Sequence, residues 1–165
     1  MNIINRVRAN LTYPFSRIIV QSLSLKQQFK SRNKPVTIHH EEDYNGQPIM
    51  LLALYEKGTL RQDIVRLLEV AKSQGIYVIA VNTLPLKYPE STKGLISCYI
   101  EKPNFGRDFS SYRTGFMHFY ERGWERQCPR LLMVNDSIYF STRGLENFIG
   151  DMIKSPLGSG FITNR

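Results

Sequence analysis

The sequence predicts an α/β domain whose mostly parallel sheet is covered by helices on both faces. Three observations carry that expectation. Short apolar runs of strand length recur between residues 49 and 140, and segments with 3.6-residue apolar periodicity separate them. The runs are continuously apolar instead of alternating, which is the pattern of strands buried on both faces. Strands and helices in alternation build parallel sheets through right-handed crossovers. A chain of 165 residues, 42% of them hydrophobic, can bury one core and is too short for two comfortable ones.

The elements follow in order. IMLLALY, residues 49–55, is a first apolar strand. GTLRQDIVRLLEVAKSQG then places Leu60, Ile64, Leu67, Leu68 and Ala71 on one helical face. Thr59 with Gln62 three positions on has the form of a capping box, and Gly75 suits the helix stop. IYVIAVN, residues 76–82, is a second strand, richer in β-branched side chains than the first. A loop, NTLPLKYPESTKG, leads to LISCYIEK as a third strand. DFSSYRTGFMHFYERG is a helix with Phe109, Tyr112, Phe116 and Phe119 on its apolar stripe, and PRLLMVNDSIYF, residues 129–140, is a fourth strand. TRGLENFIGDMIKS forms a last helix on Leu145, Phe148, Ile149, Met152 and Ile153, and GSGFITNR, residues 158–165, begins a fifth strand. Lone Trp124 is expected to pack, and His118 to be a surface or satisfied core histidine.

Charge separates a leader from this body. Residues 1–40 hold seven Lys or Arg and no acid, whereas the rest of the chain carries 15 basic residues against 14 acidic ones. All but one unit of the net charge of +8 therefore belongs to the leader. Its basic residues alternate with Leu, Ile, Val and Phe, a pattern suited to an anionic membrane surface or to another protein, while Pro14 interrupts any continuous helix. Specific nucleic-acid binding is not expected of a near-neutral body, and the leader allows only weak nonspecific contact. The boundary is set at HHEEDYNGQP, residues 39–48, a polar run with a turn-forming Asn-Gly, giving an extension over 1–47 and a domain over 48–165. His39 and His40 beside Glu41, Glu42 and Asp43 have metal-binding chemistry, but adjacent side chains in a linker rarely converge. Cys98 and Cys128 lack ligand spacing and read as reduced thiols. No apolar run approaches the roughly 20 residues that span a bilayer, and the start lacks a signal-peptide core. The expectation is a cytoplasmic domain, at most peripheral at the inner face of the membrane.

In parallel sheets ligands bind beyond the carboxyl ends of the strands. Three polar segments should gather there: residues 55–58, 103–108 and 135–137. Asp136 emerges at the end of an apolar strand, where a carboxylate either ligates a divalent cation or organises a turn; Asn135 and Ser137 flank it with neutral hydrogen-bonding groups. Asn104, Gly106, Arg107 and Asp108 cluster at a helix entry. There Gly106 permits a close turn, Arg107 offers a fork for a phosphate, and Asp108 is the expected N-cap. Taken alone, this corner favours capping and packing over binding. Tyr55 and Tyr112 can stack on a base or sugar, with Arg113 in reach of the same edge. No GxGxxG, P-loop or GxSxG motif occurs, which removes the common dinucleotide, NTPase and hydrolase readings.

Together, PNFGRDFSSYRTGF and, some twenty residues later, LLMVNDSIYF resemble the rhamnan synthesis protein F family over roughly residues 49–163. The matching positions are Asn104, Gly106, Arg107, Asp108, Phe109, Tyr112, Gly115, Asn135, Asp136, Ser137 and Tyr139. After Ser137 the chain continues to Phe140-Ser141 where that family usually runs towards Gly-Pro. The resemblance implies a Rossmann-like domain of GT-A type and a glycosyltransferase that uses a nucleotide sugar, plausibly of rhamnose, to extend a cell-surface polysaccharide or lipopolysaccharide. It implies Asp136 as ligand to a divalent cation, Mn or Mg, and Tyr55, Asn104, Gly106, Arg107, Asp108, Tyr112, Asn135 and Ser137 around the donor. The acceptor glycan and the catalytic base belong to the half that follows the metal motif in such enzymes, so the chain reads as a donor-binding half, incomplete at its C-terminus. A noncatalytic interaction protein that binds through its basic N-terminus is the alternative.

Overall fold

The computed structural model describes residues 22, 25, 35–105 and 107–156. The chain divides into two compact units, Met1–Pro35 and Val36–Arg165, and the second carries the sheet. Most of the basic leader, Gly106 and the segment 158–165 expected to start another strand lie outside the described residues.

Five strands, β1 (Thr37–Glu41), β2 (Ile49–Leu54), β3 (Tyr77–Asn82), β4 (Cys98–Glu101) and β5 (Leu131–Asn135), form one sheet in the order β1-β4-β3-β2-β5. The pairs β4–β3, β3–β2 and β2–β5 are parallel, and β1 closes one edge antiparallel to β4. Among the described residues of this unit, three α-helices accompany it: α1 (Gln62–Ser73), α2 (Arg107–Glu121) and α3 (Leu145–Lys154). From β2 the chain winds outward through β3 and β4, then crosses back to place β5 on the other side of β2. The winding thus reverses between β2 and β5, and a crevice opens at the carboxyl ends of strands at such a point.

Period-two alternation sorts each strand between two cores. Met50, Leu52, Leu54, Val78 and Ala80 face Ile64, Leu67, Leu68 and Ala71 of α1 and Leu145 and Ile149 of α3. Ile49, Leu51, Ile79, Val81 and Ile100 form the opposite core with Phe119, against which Tyr112 and Phe116 of α2 also pack. Both sets are apolar because both faces are covered, and β2 is buried at every position.

Helix α2 meets the sheet along most of the expected aromatic stripe, since Phe119 is buried and Tyr112 and Phe116 pack beside it, but Phe109 stands outside the contact. Phe109 is 87% exposed, whereas Ser111, His118 and Phe119 are buried. Small residues mark the contact. A Cβ on Gly115 would stand 3.1 Å from Leu51 Cδ2 and 3.6 Å from Val81 Cγ2, so the absent side chain sets how closely α2 approaches β2 and β3.

Three boundaries depart from the sequence expectation. The run read as a linker begins with an edge strand, β1; its polar residues are compatible with pairing because the first three positions are exposed, and charged edges resist further pairing. Helix α1 starts after the proposed Thr59 cap, with Arg61 at the N-cap position and no side-chain cap bond. Gly58 is held instead between Pro85 O and Lys87 N, which keeps residues 57–59 in the loop. Gly75, at φ 68°, ends the helix as expected. Strand β5 stops at Asn135, because the chain beyond it is captured by the start of α1: Phe140 N donates to Asp63 Oδ2 at 3.1 Å and Arg61 donates to Ile138 O at 3.2 Å. No helix among the described residues is long and apolar enough to cross a membrane.

Candidate functional site at the carboxyl edge of the sheet

The three expected segments do meet where the winding reverses. Strand β2 ends at Leu54 and β5 at Asn135, side by side, so Tyr55 and Asp136 leave the sheet as neighbours. The Tyr55 amide donates to Asp136 Oδ2, and the Asp136 amide donates to Ala53 O at 3.2 Å, which carries the ladder one step past the strand. Across the crevice, Asn135 Nδ2 donates to Asp108 Oδ2 at 3.0 Å. Asp108 is the second residue of α2, and its carboxylate engages Asn135 although the sequence suggested an N-cap. That hydrogen bond joins the segment at 103–108 to the segment at 135–137.

Sequence reasoning missed the acidic and amide residues beneath these. Glu56 and Asp63 are buried, and Arg61 bridges them, with Nε 3.3 Å from Glu56 and 3.1 Å from Asp63. The same guanidinium donates to Asp136 O at 3.0 Å. Asn82, fully buried at the end of β3, accepts from Glu56 N at 3.1 Å and donates to Glu56 O at 2.9 Å and to Tyr99 Oη at 3.1 Å. The Tyr99 hydroxyl donates to Glu101 at 2.9 Å, and Leu86 N donates to the same carboxylate. A polar residue closing each otherwise apolar strand was the available signal: Glu56 after β2, Asn82 in β3 and Glu101 in β4.

Burial decides the electrostatics. It pushes the Asp136 carboxyl above its usual range; the Tyr55 amide and Arg61 oppose this, and nearby Asp108 adds to it. Glu56 is raised chiefly by burial too, with Arg61 opposing and Asp136 and Asp63 reinforcing. The Tyr112 hydroxyl is pushed up to about 12 by burial and by the charges of Asp108 and Asp136. Tyr112 and both aspartates therefore border one region.

The remaining expected residues fall less tightly. Tyr55 is 58% exposed beside Asp136, and Asn104 and Ser137 are exposed on their loops. Gly106 and the Arg107 side chain lie outside the described residues. Hard divalent cations take oxygen ligands, often carboxylates. Asp136 and Asp108 offer carboxylate oxygens of that kind at one edge of the sheet, one oxygen of each being held by the Tyr55 amide and by Asn135 respectively. Comparisons of the chain with protein-family models, curated proteins and solved structures return no match.

Proposed function

We propose that the carboxyl edge of the sheet binds the diphosphate of a nucleotide sugar, and that the chain is the donor-binding part of a glycosyltransferase extending a cell-surface glycan. The Asn135–Asp108 hydrogen bond is the observation that carries this reading, since it draws the two motifs of the family resemblance into one crevice at the switch point. Support also comes from Tyr55, exposed beside Asp136 and able to stack on a base or sugar. Asp136, helped by Asp108, would hold Mn²⁺ or Mg²⁺. Such an ion neutralises a diphosphate and stabilises it as a leaving group. The chain's own residues position: the Tyr55 amide fixes the Asp136 carboxylate, Asn135 fixes Asp108, and Arg61 balances the acids below. Arg107 is assigned to the phosphates by the resemblance. A hydroxyl of the growing glycan is the acceptor on this reading, with rhamnose the sugar that the resemblance favours.

Calorimetric titration of nucleoside diphosphates and their sugars, with and without Mn²⁺, tests it. Binding should be strengthened by the cation and weakened roughly tenfold or more by Asp136→Ala, about 1.4 kcal/mol, and also by Arg107→Ala. Absence of binding to every nucleotide would refute the reading for this chain.

One observation favours the interaction-module alternative. Phe109, Met117, Tyr120 and Met133 are exposed, and they line an apolar groove of about 500 Å³ beside α2. Peripheral attachment by the basic leader belongs to either reading. Deleting residues 1–35, which spares β1, should abolish a salt-sensitive partition onto anionic vesicles, and unchanged partition would exclude it.

A further inference from the structure

At the opposite end of the sheet, three metal-ligating side chains from three elements converge. Glu41 ends β1, Cys98 opens β4 directly opposite it in the antiparallel register, and His118 stands in the last turn of α2. Cys98 Sγ lies 3.5 Å from His118 Nε2 and 3.8 Å from Glu41 Oε2, and His118 Nε2 lies 2.6 Å from Glu41 Oε2. Among the described residues no other group of three or more His, Cys, Asp or Glu side chains converges in this way. We propose that Glu41, Cys98 and His118 form a binding site for a zinc-class divalent cation, distinct from the donor site and independent of the proposed function.

The donor set and its dimensions support this. Thiolate, imidazole and carboxylate are the ligands zinc accepts, at about 2.3 Å for sulfur and about 2.0 Å for nitrogen and oxygen. Tetrahedral angles at those lengths place sulfur about 3.5 Å from either partner and nitrogen about 3.3 Å from oxygen. Both sulfur distances are therefore close to those required. Only the His118–Glu41 hydrogen bond must open, by a fraction of an ångström, as the ion takes its place.

His118 Nε2 and the Cys98 thiol both address one atom, Glu41 Oε2, so the three ligand atoms already converge on a common point. A cation there would take the place of the protons that now link them. Binding requires Cys98 to lose its thiol proton to solvent and His118 Nε2 to present its lone pair, with the ring proton on Nδ1. Without a metal the thiol is protonated at neutral pH, since burial first and Glu41 next push it up to about 12.

The surroundings suit a structural clip. Arg122 pairs with the second oxygen of Glu41 at 2.8 Å, which orients the carboxylate while leaving Oε2 to face the cluster. Trp124 packs edge-on against the His118 ring at 5.5 Å, and Cys98 is fully buried. Glu41 keeps 21% of its side chain accessible, so the cluster is reached from solvent on the carboxylate side. The ion would tie β1 to β4 and α2.

The whole chain, kept reduced and stripped with chelator, is to be titrated with Co²⁺ and then Zn²⁺. One equivalent of Co²⁺ should give a near-ultraviolet thiolate-to-cobalt charge-transfer band that Zn²⁺ abolishes. Cys98→Ser should remove the band, and Glu41→Gln should weaken affinity roughly tenfold or more. Cys128→Ser and Asp136→Asn should leave both unchanged. A wild-type chain without the band, or a band surviving Cys98→Ser, overturns the proposal. Should the Cys98 variant fail to fold, the wild-type band and the Glu41→Gln titration decide it, and full affinity in Glu41→Gln counts against the site. Loss of nucleotide binding in Asp136→Ala with the cobalt band retained separates this site from the donor reading.

Discussion

The two ends of the parallel strands are built from different chemistry. At the carboxyl end, loops leave β2, β3, β4 and β5, and acids, amides and an arginine from five segments share hydrogen bonds under an exposed rim. At the amino end near β1, the chain is tight, aromatic and sulfur-containing: Tyr44, Tyr77 and Trp124 pack ring to ring with centroids 5.0 to 5.3 Å apart, beside Cys98 and His118. The contrast is one of donor type and its origin. Oxygen donors collect here where strands end and loops diverge, whereas the thiol of Cys98 and the imidazole of His118 meet where the antiparallel edge strand and the last turn of α2 come together.

Several perturbations break or sharpen that contrast. The largest effect is expected from Asn82→Leu, which strands the Glu56 amide and carbonyl under the carboxyl rim. Urea unfolding should show a loss of roughly 3 kcal/mol, and a loss below about 1 kcal/mol would mean that water replaces the amide. Gly115→Val tests whether the two ends are coupled through α2, because its branched side chain must displace Leu51. A destabilisation of about 2 kcal/mol is expected, together with weaker responses to both nucleotide and cobalt.

Smaller in free energy and sharper in meaning is the exchange of readouts. Asp136→Ala should weaken nucleotide binding at least about tenfold with the cobalt response intact, and Cys98→Ser should do the reverse. Parallel loss of both in either variant would erase the distinction between the ends.

The smallest effect concerns pH. Asp136 and Glu56 are raised above their ordinary values of 3.8 and 4.5, so the folded chain holds these protons more tightly than the unfolded chain. Their stabilising contribution is complete below the ordinary values and is lost as pH rises through the raised ones. Asp136→Asn should flatten the fall in unfolding free energy as pH rises above the ordinary carboxylate value of 3.8; an identical slope would show that Asp136 titrates normally.

Much of the layer architecture was legible because it rests on local periodicity. Ile64, Leu67, Leu68 and Ala71 recur at helical spacing, and their burial against Met50, Leu52 and Val78 follows from having an apolar stripe to cover. The aromatic stripe of α2 was legible on the same ground in Tyr112, Phe116 and Phe119, which pack on the second core. Phe109 departs from it, exposed in the first turn, and Gly115 adds what an apolar count does not register, a missing side chain that allows close approach to Leu51 and Val81. Strand β1 was invisible to an apolar count because an edge strand needs backbone partners more than buried side chains. In the candidate donor site, Asp136, Asn135 and Asp108 could be named from two motifs and Asn82 carried the weaker signal of a polar residue closing an apolar strand, whereas Arg61 and Asp63 could not be named, since nothing local distinguishes a helix-start ion pair from a bridge between segments.

The amino-acid sequence was enough to place the apolar strands and the helices between them, the covering of both sheet faces, and the polar groups at the strand ends, but not the polar edge strand β1. These are consequences of side-chain hydrophobicity repeated at a fixed period, which each segment carries alone. Only the tertiary structure decided that β5 lies beside β2, which puts Tyr55 against Asp136 and Asn135 against Asp108. It also decided that Glu41, Cys98 and His118, separated by 57 and 20 residues along the chain, meet at one point. Strand order, register and crossover direction set such meetings, and all three depend on how distant segments pack together instead of on the composition of any one of them.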